Sequence, residues 1–135
     1  LFPGLESALH LLRDRSVPLA IVTGKGPRAA EISLRHIGVR HLFDIVEVGS
    51  PDGAIKPASL RRVIGQWSLP PGRVAYVGDA PYDMQAAKEA GLVALGAAWA
   101  DTADASVLRG LEPAAVFEDV REFGAWMESH TRGRT

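Results

Sequence analysis

The chain has 135 residues, a length that suits a single domain, here expected to span 1–135, with one hydrophobic core. Its 15 Lys and Arg residues nearly balance its 16 Asp and Glu residues, so the weak overall field predicts no general affinity for nucleic acid or acidic membranes. The absence of Cys excludes disulfide bonds, thiolate zinc sites and a Cys nucleophile.

The elements predicted along the chain alternate between helices with one apolar face and short apolar strands. In chain order they are a helix through Leu5 and Leu12, a strand at 19–22, a helix from Pro27 to Ile37, a strand at 43–48, a helix through Leu60 and Trp67, a strand at 74–78, a helix through Met84 and Ala87, a strand at 92–95, a short helix before Leu111, a strand at 115–117 and a helix through Val120 and Met127. This alternation predicts an α/β fold with a Rossmann-like, mainly parallel sheet sandwiched by helices.

No stretch of the sequence predicts a membrane segment. The longest apolar run, from Leu92 to Ala100, is too short to cross a bilayer. The chain also opens with no signal-peptide pattern. We therefore expect a cytoplasmic protein with no membrane partner.

The stretch from Val74 to Gly91 carries two acidic side chains beside a predicted strand end. Asp79 follows the strand directly, and Asp83 comes four residues later. Ligands of open α/β sheets bind at this edge, and Mg²⁺ commonly takes one or two protein carboxylates together with phosphate oxygens and waters. The pair therefore predicts a magnesium site. The alternative is that Asp83 only caps the following helix and interacts with its N-terminal dipole.

Two further loops bring polar groups to predicted strand ends. Thr23 closes the first strand before a Gly-rich loop that starts at Gly24, and Lys56 lies in a turn-rich segment, held before Pro57. Taken singly, each has an ordinary explanation as a strand-end or loop residue. Together with the acidic pair, they supply donors for phosphate oxygens, a cation against their charge and a metal clamp, which predicts a phosphoryl site.

Three segments, 19–25, 55–57 and 77–83, resemble the second, third and fourth motifs of the haloacid dehalogenase-like hydrolase superfamily, close to its phosphoglycolate-phosphatase-like branch. The likeness extends from about Phe2 to about Glu122.

The resemblance implies a role for each matching residue. The Thr23 hydroxyl and the Gly24 amide would hydrogen-bond the phosphoryl group, and Lys56 would neutralise its charge and that of the nucleophile. Asp79 would ligate Mg²⁺, with Asp83 ligating it directly or through water. Gly24 stands where Asn or Ser is common in the family, but its amide remains available.

The family's first motif, Asp-x-Asp-x-Thr, has no match in this sequence. The segment 101–104 has the wrong spacing and follows the wrong strand, so we interpret it as a polar loop and a helix N-terminus. The resemblance implies that relatives carry a first strand and a helical cap ahead of the segment that begins here at Leu1. We therefore expect a core domain that lacks its front third.

In the family's sheet the first strand is central, and the strands ending at Thr23 and Asp79 flank it. Those two strands could pair directly, a strand from another chain could fill the gap by self-association, or the domain could be poorly ordered. Each arrangement remains open on the sequence alone.

The resemblance implies an Mg²⁺-dependent phosphatase that acts on a small phosphorylated metabolite through an aspartyl-phosphate intermediate when complete. Without the nucleophile, this chain should be close to inactive. The alternative is a non-catalytic domain that binds Mg²⁺ and phosphate or serves regulation. A receiver-like or nucleotide-binding domain would explain the acidic pair but leaves Thr23 and Lys56 unexplained, and no Gly-x-Gly-x-x-Gly or Walker-type loop is present.

Overall fold

The computed structural model describes residues 4–23, 38, 40–48, 57–99, 101 and 103–131. The helices are α1 Leu5–Asp14, α2 Pro57–Trp67, α3 Pro81–Glu89, α4 Ala105–Gly110 and α5 Val120–His130. The strands are β1 Ala20–Thr23, β2 Ile45–Val48, β3 Ala75–Gly78, β4 Val93–Ala97 and β5 Ala115–Phe117. Short 3₁₀ turns occupy Arg40–Leu42 and Pro71–Arg73.

The strands form two parallel sheets flanked by helices. One sheet pairs β1 with β2, and the other has the order β3-β4-β5. The predicted α/β class with parallel strands is therefore confirmed. Among the described residues, no ladder joins β1 to β3, so the direct pairing considered from the sequence is not formed there.

Helices cover both faces of the β3-β4-β5 sheet. On one face α3 and α4 contribute buried apolar side chains, with α2 packed beside α3 in the same cluster, and on the other face α1 and α5 do so. Neighbouring residues of β4 show the alternation, because Ala94 belongs to the first cluster and Leu95 to the second. The sheet edge that carries Asp79 is thus held between two packed layers.

Most predicted elements appear with small changes at their ends. The strand expected at 43–48 begins only at Ile45, because Arg40–Leu42 form a 3₁₀ turn and Arg40 donates a side-chain hydrogen bond to the carbonyl of Phe43. The strand expected at 92–95 instead covers Val93–Ala97, where it continues to pair with β5. The helix predicted from Pro27 to Ile37 lies outside the described residues.

Within the part of the chain that the structure describes, no helix has both the length and the apolar character needed to cross a bilayer.

Candidate functional site

The turn between β3 and α3 carries the acidic pair singled out from the sequence. Asp79 follows Gly78, the last residue of β3, and its side chain is exposed at the carboxyl edge of the sheet. Pro81 begins α3, where its missing N–H costs no helical hydrogen bond. Asp79 is therefore an exposed acidic residue at the edge where ligands of such sheets bind.

Asp83 lies in the first turn of α3 and is only 4% exposed. Its Oδ2 accepts hydrogen bonds from the backbone N–H groups of Asp79 at 3.2 Å and Ala80 at 3.1 Å. These are the contacts that a helix-capping carboxylate makes, so the capping geometry considered from the sequence is present. Both amides would otherwise lack partners within the helix, and Asp83 fixes the turn by accepting from them.

Tyr76 supplies a further donor to the same carboxylate. Its hydroxyl lies 3.4 Å from Oδ1 of Asp83, and its ring packs against the buried cluster of α2 and α3. Burial, and then the negative charge of Asp83, raise the pKa of Tyr76 well above its usual value, so the phenol keeps its proton and donates.

Burial also raises the pKa of Asp83, and the nearby charge of Asp79 acts in the same direction. The hydrogen bonds from Ala80, Asp79 and Tyr76 oppose this by stabilising the ionised carboxylate. Burying the Asp83 carboxylate is therefore costly, and the hydrogen bonds within its own turn offset part of that cost.

A cavity of about 430 Å³ opens beside the turn. It is lined by Asp79, Ala80, Pro81, Tyr82, Asp104, Val107 and Leu108. Tyr82 and Val107 are 52% and 47% exposed, whereas Leu108 is fully buried. The volume falls in the range of small-molecule pockets, about 300–1,000 Å³, and its wall combines apolar surface with two carboxylates.

Asp104 enters this cavity as the N-cap of α4. Its Oδ1 accepts from the N–H groups of Ser106 at 2.9 Å and Val107 at 3.2 Å. The sequence predicts a polar loop and a helix N-terminus for this segment; the helix N-terminus is confirmed, and Asp104 lines the same cavity as Asp79. The sequence did not predict that Asp104 would lie near Asp79, because α4 is distant from the turn along the chain and comes close to it only in the folded structure.

Of the other predicted site residues, Thr23 belongs to a strand of the sheet. The backbone of Thr23 ends β1, where Thr23 pairs in register with Val48. The side chain of Thr23, and Gly24 and Lys56 altogether, lie outside the described residues. The structure therefore brings Asp79 and Asp83 together, and the predicted convergence with the other three stays a prediction.

The oxygen ligands at the turn suit Mg²⁺ better than a metal ion whose ligands must all come from the protein. Within the described ranges, no group of three or more His, Asp or Glu side chains could hold a metal ion. Two neighbouring carboxylates, with room for water and phosphate oxygens beside them, match the one or two protein ligands that Mg²⁺ usually takes. The residues present therefore fit this ion.

The α/β core with parallel strands presents the acidic turn at the carboxyl edge of the sheet, where ligands of such folds bind. The family model described as haloacid dehalogenase-like hydrolase matches residues 1–97. The chain therefore belongs to the haloacid dehalogenase-like hydrolase family, and the resemblance drawn from its motifs is confirmed.

Known relatives share much of this chain. It is 35% identical to a phosphoglycolate phosphatase of Synechococcus elongatus over 99 residues, which cover 73% of this chain and 46% of that protein. It is 30% identical to the tyrosine-protein kinase PtkA of Mycobacterium tuberculosis over 128 residues, covering 90% of this chain and 44% of that one. A haloacid dehalogenase-like hydrolase of Streptococcus pneumoniae has a related structure, with a TM-score of 0.84, 26% identity and coverage of 93% of this chain and 59% of that one.

The chain thus spans about half the length of the curated relatives it matches.

Proposed function

We propose that this chain is the core part of an Mg²⁺-dependent phosphatase that hydrolyses small phosphate monoesters through an aspartyl-phosphate. The observation that carries the proposal is the position of Asp79, an exposed carboxylate at the end of β3, held by the bonds of Asp83 beside a cavity of about 430 Å³. Phosphoryl transfer needs mainly such positioning and charge neutralisation.

The roles of the individual residues follow from their chemistry. Asp79 would be the direct protein ligand, and Asp83, whose oxygens already accept three hydrogen bonds, would act on the ion through water. When bound, Mg²⁺ would supply positive charge against the phosphoryl oxygens. The Thr23 hydroxyl and the Gly24 amide would hold those oxygens, and Lys56 would balance their charge.

The substrate class proposed is a small phosphorylated metabolite, with no nucleic acid or membrane partner. The cavity volume supports a small organic group, and the near balance of 15 basic and 16 acidic residues supports the absence of polyanionic partners. Relatives with different named activities share this core, so a panel of phosphate monoesters is needed to identify the substrate.

The nucleophile is the group that this sequence does not supply, since no Asp-x-Asp-x-Thr occurs in it. Loss of a nucleophile lowers the catalysed rate on the order of a million-fold in a serine protease. We therefore expect the chain alone to be nearly inactive towards p-nitrophenyl phosphate.

The test joins the chain to the N-terminal segment of the Synechococcus elongatus relative, which the family resemblance implies to carry an apolar strand, Asp-x-Asp-x-Thr and a helical cap. Circular dichroism and thermal unfolding check that the joined protein folds. We expect Mg²⁺-dependent hydrolysis by the joined protein, and its loss when the first Asp of the added motif is replaced by Asn. Turnover by the chain alone at the joined protein's rate would refute the expected inactivity. A folded joined protein that hydrolyses no monoester of the panel would argue against the phosphatase.

A second candidate is a non-catalytic domain that binds Mg²⁺ and phosphate, and the missing nucleophile motif favours it. It predicts that calorimetry detects binding of Mg²⁺ and inorganic phosphate to the chain alone, while the joined protein shows no turnover.

A further inference from the structure

We propose that Tyr76 is a positioning residue for the acidic turn: its hydroxyl holds the Asp83 carboxylate in the orientation that keeps Asp79 in place for a metal ion. The part that concerns the metal rests on the proposed function. The part that concerns the turn rests on the hydrogen bonds alone.

The carboxylate of Asp83 receives a donor from each side. Oδ2 accepts from the amides of Asp79 and Ala80, which belong to the turn, and Oδ1 accepts from the Tyr76 hydroxyl, which belongs to β3. One buried side chain thus joins a strand, a turn and a helix. Because the two oxygens share one plane, holding Oδ1 also sets the direction of Oδ2.

The hydroxyl of Tyr76 has no packing purpose that a Phe ring could not serve. The Tyr76 ring is half-buried against the apolar cluster that includes Leu60, Ile64 and Met84. A phenolic hydroxyl in such surroundings costs free energy unless it finds a partner, and Asp83 is the partner it finds. The hydroxyl is therefore explained by the contact with Asp83.

The strand end leaves space for this arrangement. Gly78 has no side chain, and the Asp83 side chain lies where a Cβ atom of residue 78 would be. Tyr76 precedes Gly78 by two residues on the same strand and so points to the same face of the sheet. The two residues act together on Asp83, one by donating to it and the other by leaving it room.

Loss of the hydroxyl should loosen the turn without leaving a cavity in the hydrophobic core. In Tyr76→Phe, Oδ1 of Asp83 loses its side-chain donor, and the two turn amides on Oδ2 are left to orient the carboxylate. The hydrogen bonds from Asp79 and Ala80 then weaken. Loss of a partner that orients a metal ligand costs about 10–100-fold in metal affinity. Because Asp83 would act on the ion through water, we expect Tyr76→Phe to lie at the lower end of this range, at about tenfold.

The test compares Tyr76→Phe with the wild-type chain and with Thr131→Val. Thr131 is a matched control, because its buried hydroxyl donates to the carbonyl of Met127 at the end of α5, in the opposite helical layer. Amide hydrogen exchange measured by NMR without metal reports on the turn directly, and calorimetry measures Mg²⁺ affinity.

We expect Tyr76→Phe to speed exchange of the Asp79 and Ala80 amides more than that of Leu95 in the core, and to weaken Mg²⁺ binding about tenfold. Thr131→Val should lower the unfolding temperature without either effect. The inference is overturned if the two turn amides exchange no faster than Leu95 relative to wild type, or if Mg²⁺ affinity is unchanged. A wild-type chain that takes up no Mg²⁺ would count against the proposed metal site, and the exchange rates would still decide the role of Tyr76.

Discussion

A Cβ atom added to Gly78 would collide with the Cβ of Asp83 and lie 2.6 Å from its Cγ and Oδ2. The end of β3 and the first turn of α3 therefore approach each other as closely as a glycine allows. The atoms that would be struck belong to the root of a short side chain whose oxygens are held by the turn. Asp83 cannot move aside without losing those bonds.

We therefore expect Gly78→Ala to destabilise the protein and to weaken Mg²⁺ binding. Overpacking costs typically about 1–3 kcal/mol in the free energy of unfolding, and the displaced Asp83 would also lose its bonds to the turn. Urea unfolding measures the first effect, and calorimetry with Mg²⁺ measures the second.

Gly65→Ala is the matched control for this substitution. Gly65 lies inside α2, and a Cβ built there meets nothing within 4 Å. Alanine in a helix interior is about 0.5–1 kcal/mol more favourable than glycine, so this variant should be stabilised. A Gly78→Ala protein as stable as wild type, with unchanged Mg²⁺ affinity, would show that the approach of Asp83 is not constrained.

The sequence predicted the layers of the fold well because its apolar residues recur at helical spacing. Val120, Phe123 and Met127 were expected on one face of a last helix, and all are buried on α5. Short features without a period were less predictable. The 3₁₀ turn at Arg40–Leu42 has no periodic signal, and it delays the start of β2.

The candidate site was predictable only in part. A metal ligand and a helix cap both call for an acid in the first helical turn, so the pattern at Asp83 could not separate the two roles. The bonds to Asp79 and Ala80 show the capping contacts. Tyr76 was hidden in an apolar run that predicted only a strand, and Val107 joins the cavity from a helix far along the chain.

A substitution at Asp79 should weaken Mg²⁺ binding more than a substitution at any other residue of the turn, because Asp79 is the proposed direct ligand. Asp79→Asn removes a negative charge and replaces one carboxylate oxygen by an NH₂ group, which cannot ligate a metal, at the exposed end of β3. Since loss of an outer partner already costs about 10–100-fold, we expect a loss of Mg²⁺ affinity of more than about 100-fold. Calorimetry on the chain measures it, and EDTA should abolish activity in the joined protein.

Asp104→Asn tests whether charge alone explains such a loss. Asp104 lines the same cavity, but its Oδ1 accepts from the amides of Ser106 and Val107. We expect a much smaller decrease in Mg²⁺ affinity than at Asp79. Equal losses in the two variants would mean that the cavity attracts the cation only through its summed charge.

Leu108 is expected to contribute strongly to stability from its position beneath the cavity. It is fully buried, and its side chain lies close to where a Cβ atom at Gly96 of β4 would be. Leu108→Ala should lower the free energy of unfolding by about 2–5 kcal/mol, because it removes buried methyl groups and leaves a void.

Val107→Ala is the neighbouring control, because Val107 is 47% exposed on the same helix. Exposed substitutions usually change stability by less than about 0.5 kcal/mol. Similar losses for Val107→Ala and Leu108→Ala in urea unfolding would contradict the assigned packing of α4.

The strand edges of the two separate sheets lead us to expect that the chain associates with itself. Among the described residues, β1 pairs only with β2 and β3 only with β4, so each presents one strand edge without a ladder partner there. Unpaired strand edges are templates for pairing with another chain. We expect the weight-average mass in sedimentation velocity to rise with concentration. An added peptide with an apolar strand followed by Asp-x-Asp-x-Thr should return the chain to a monomer by occupying the edges, whereas a peptide of the same composition in scrambled order should not. A chain that stays monomeric at all concentrations, or that responds equally to both peptides, would show that these edges are not the association surface.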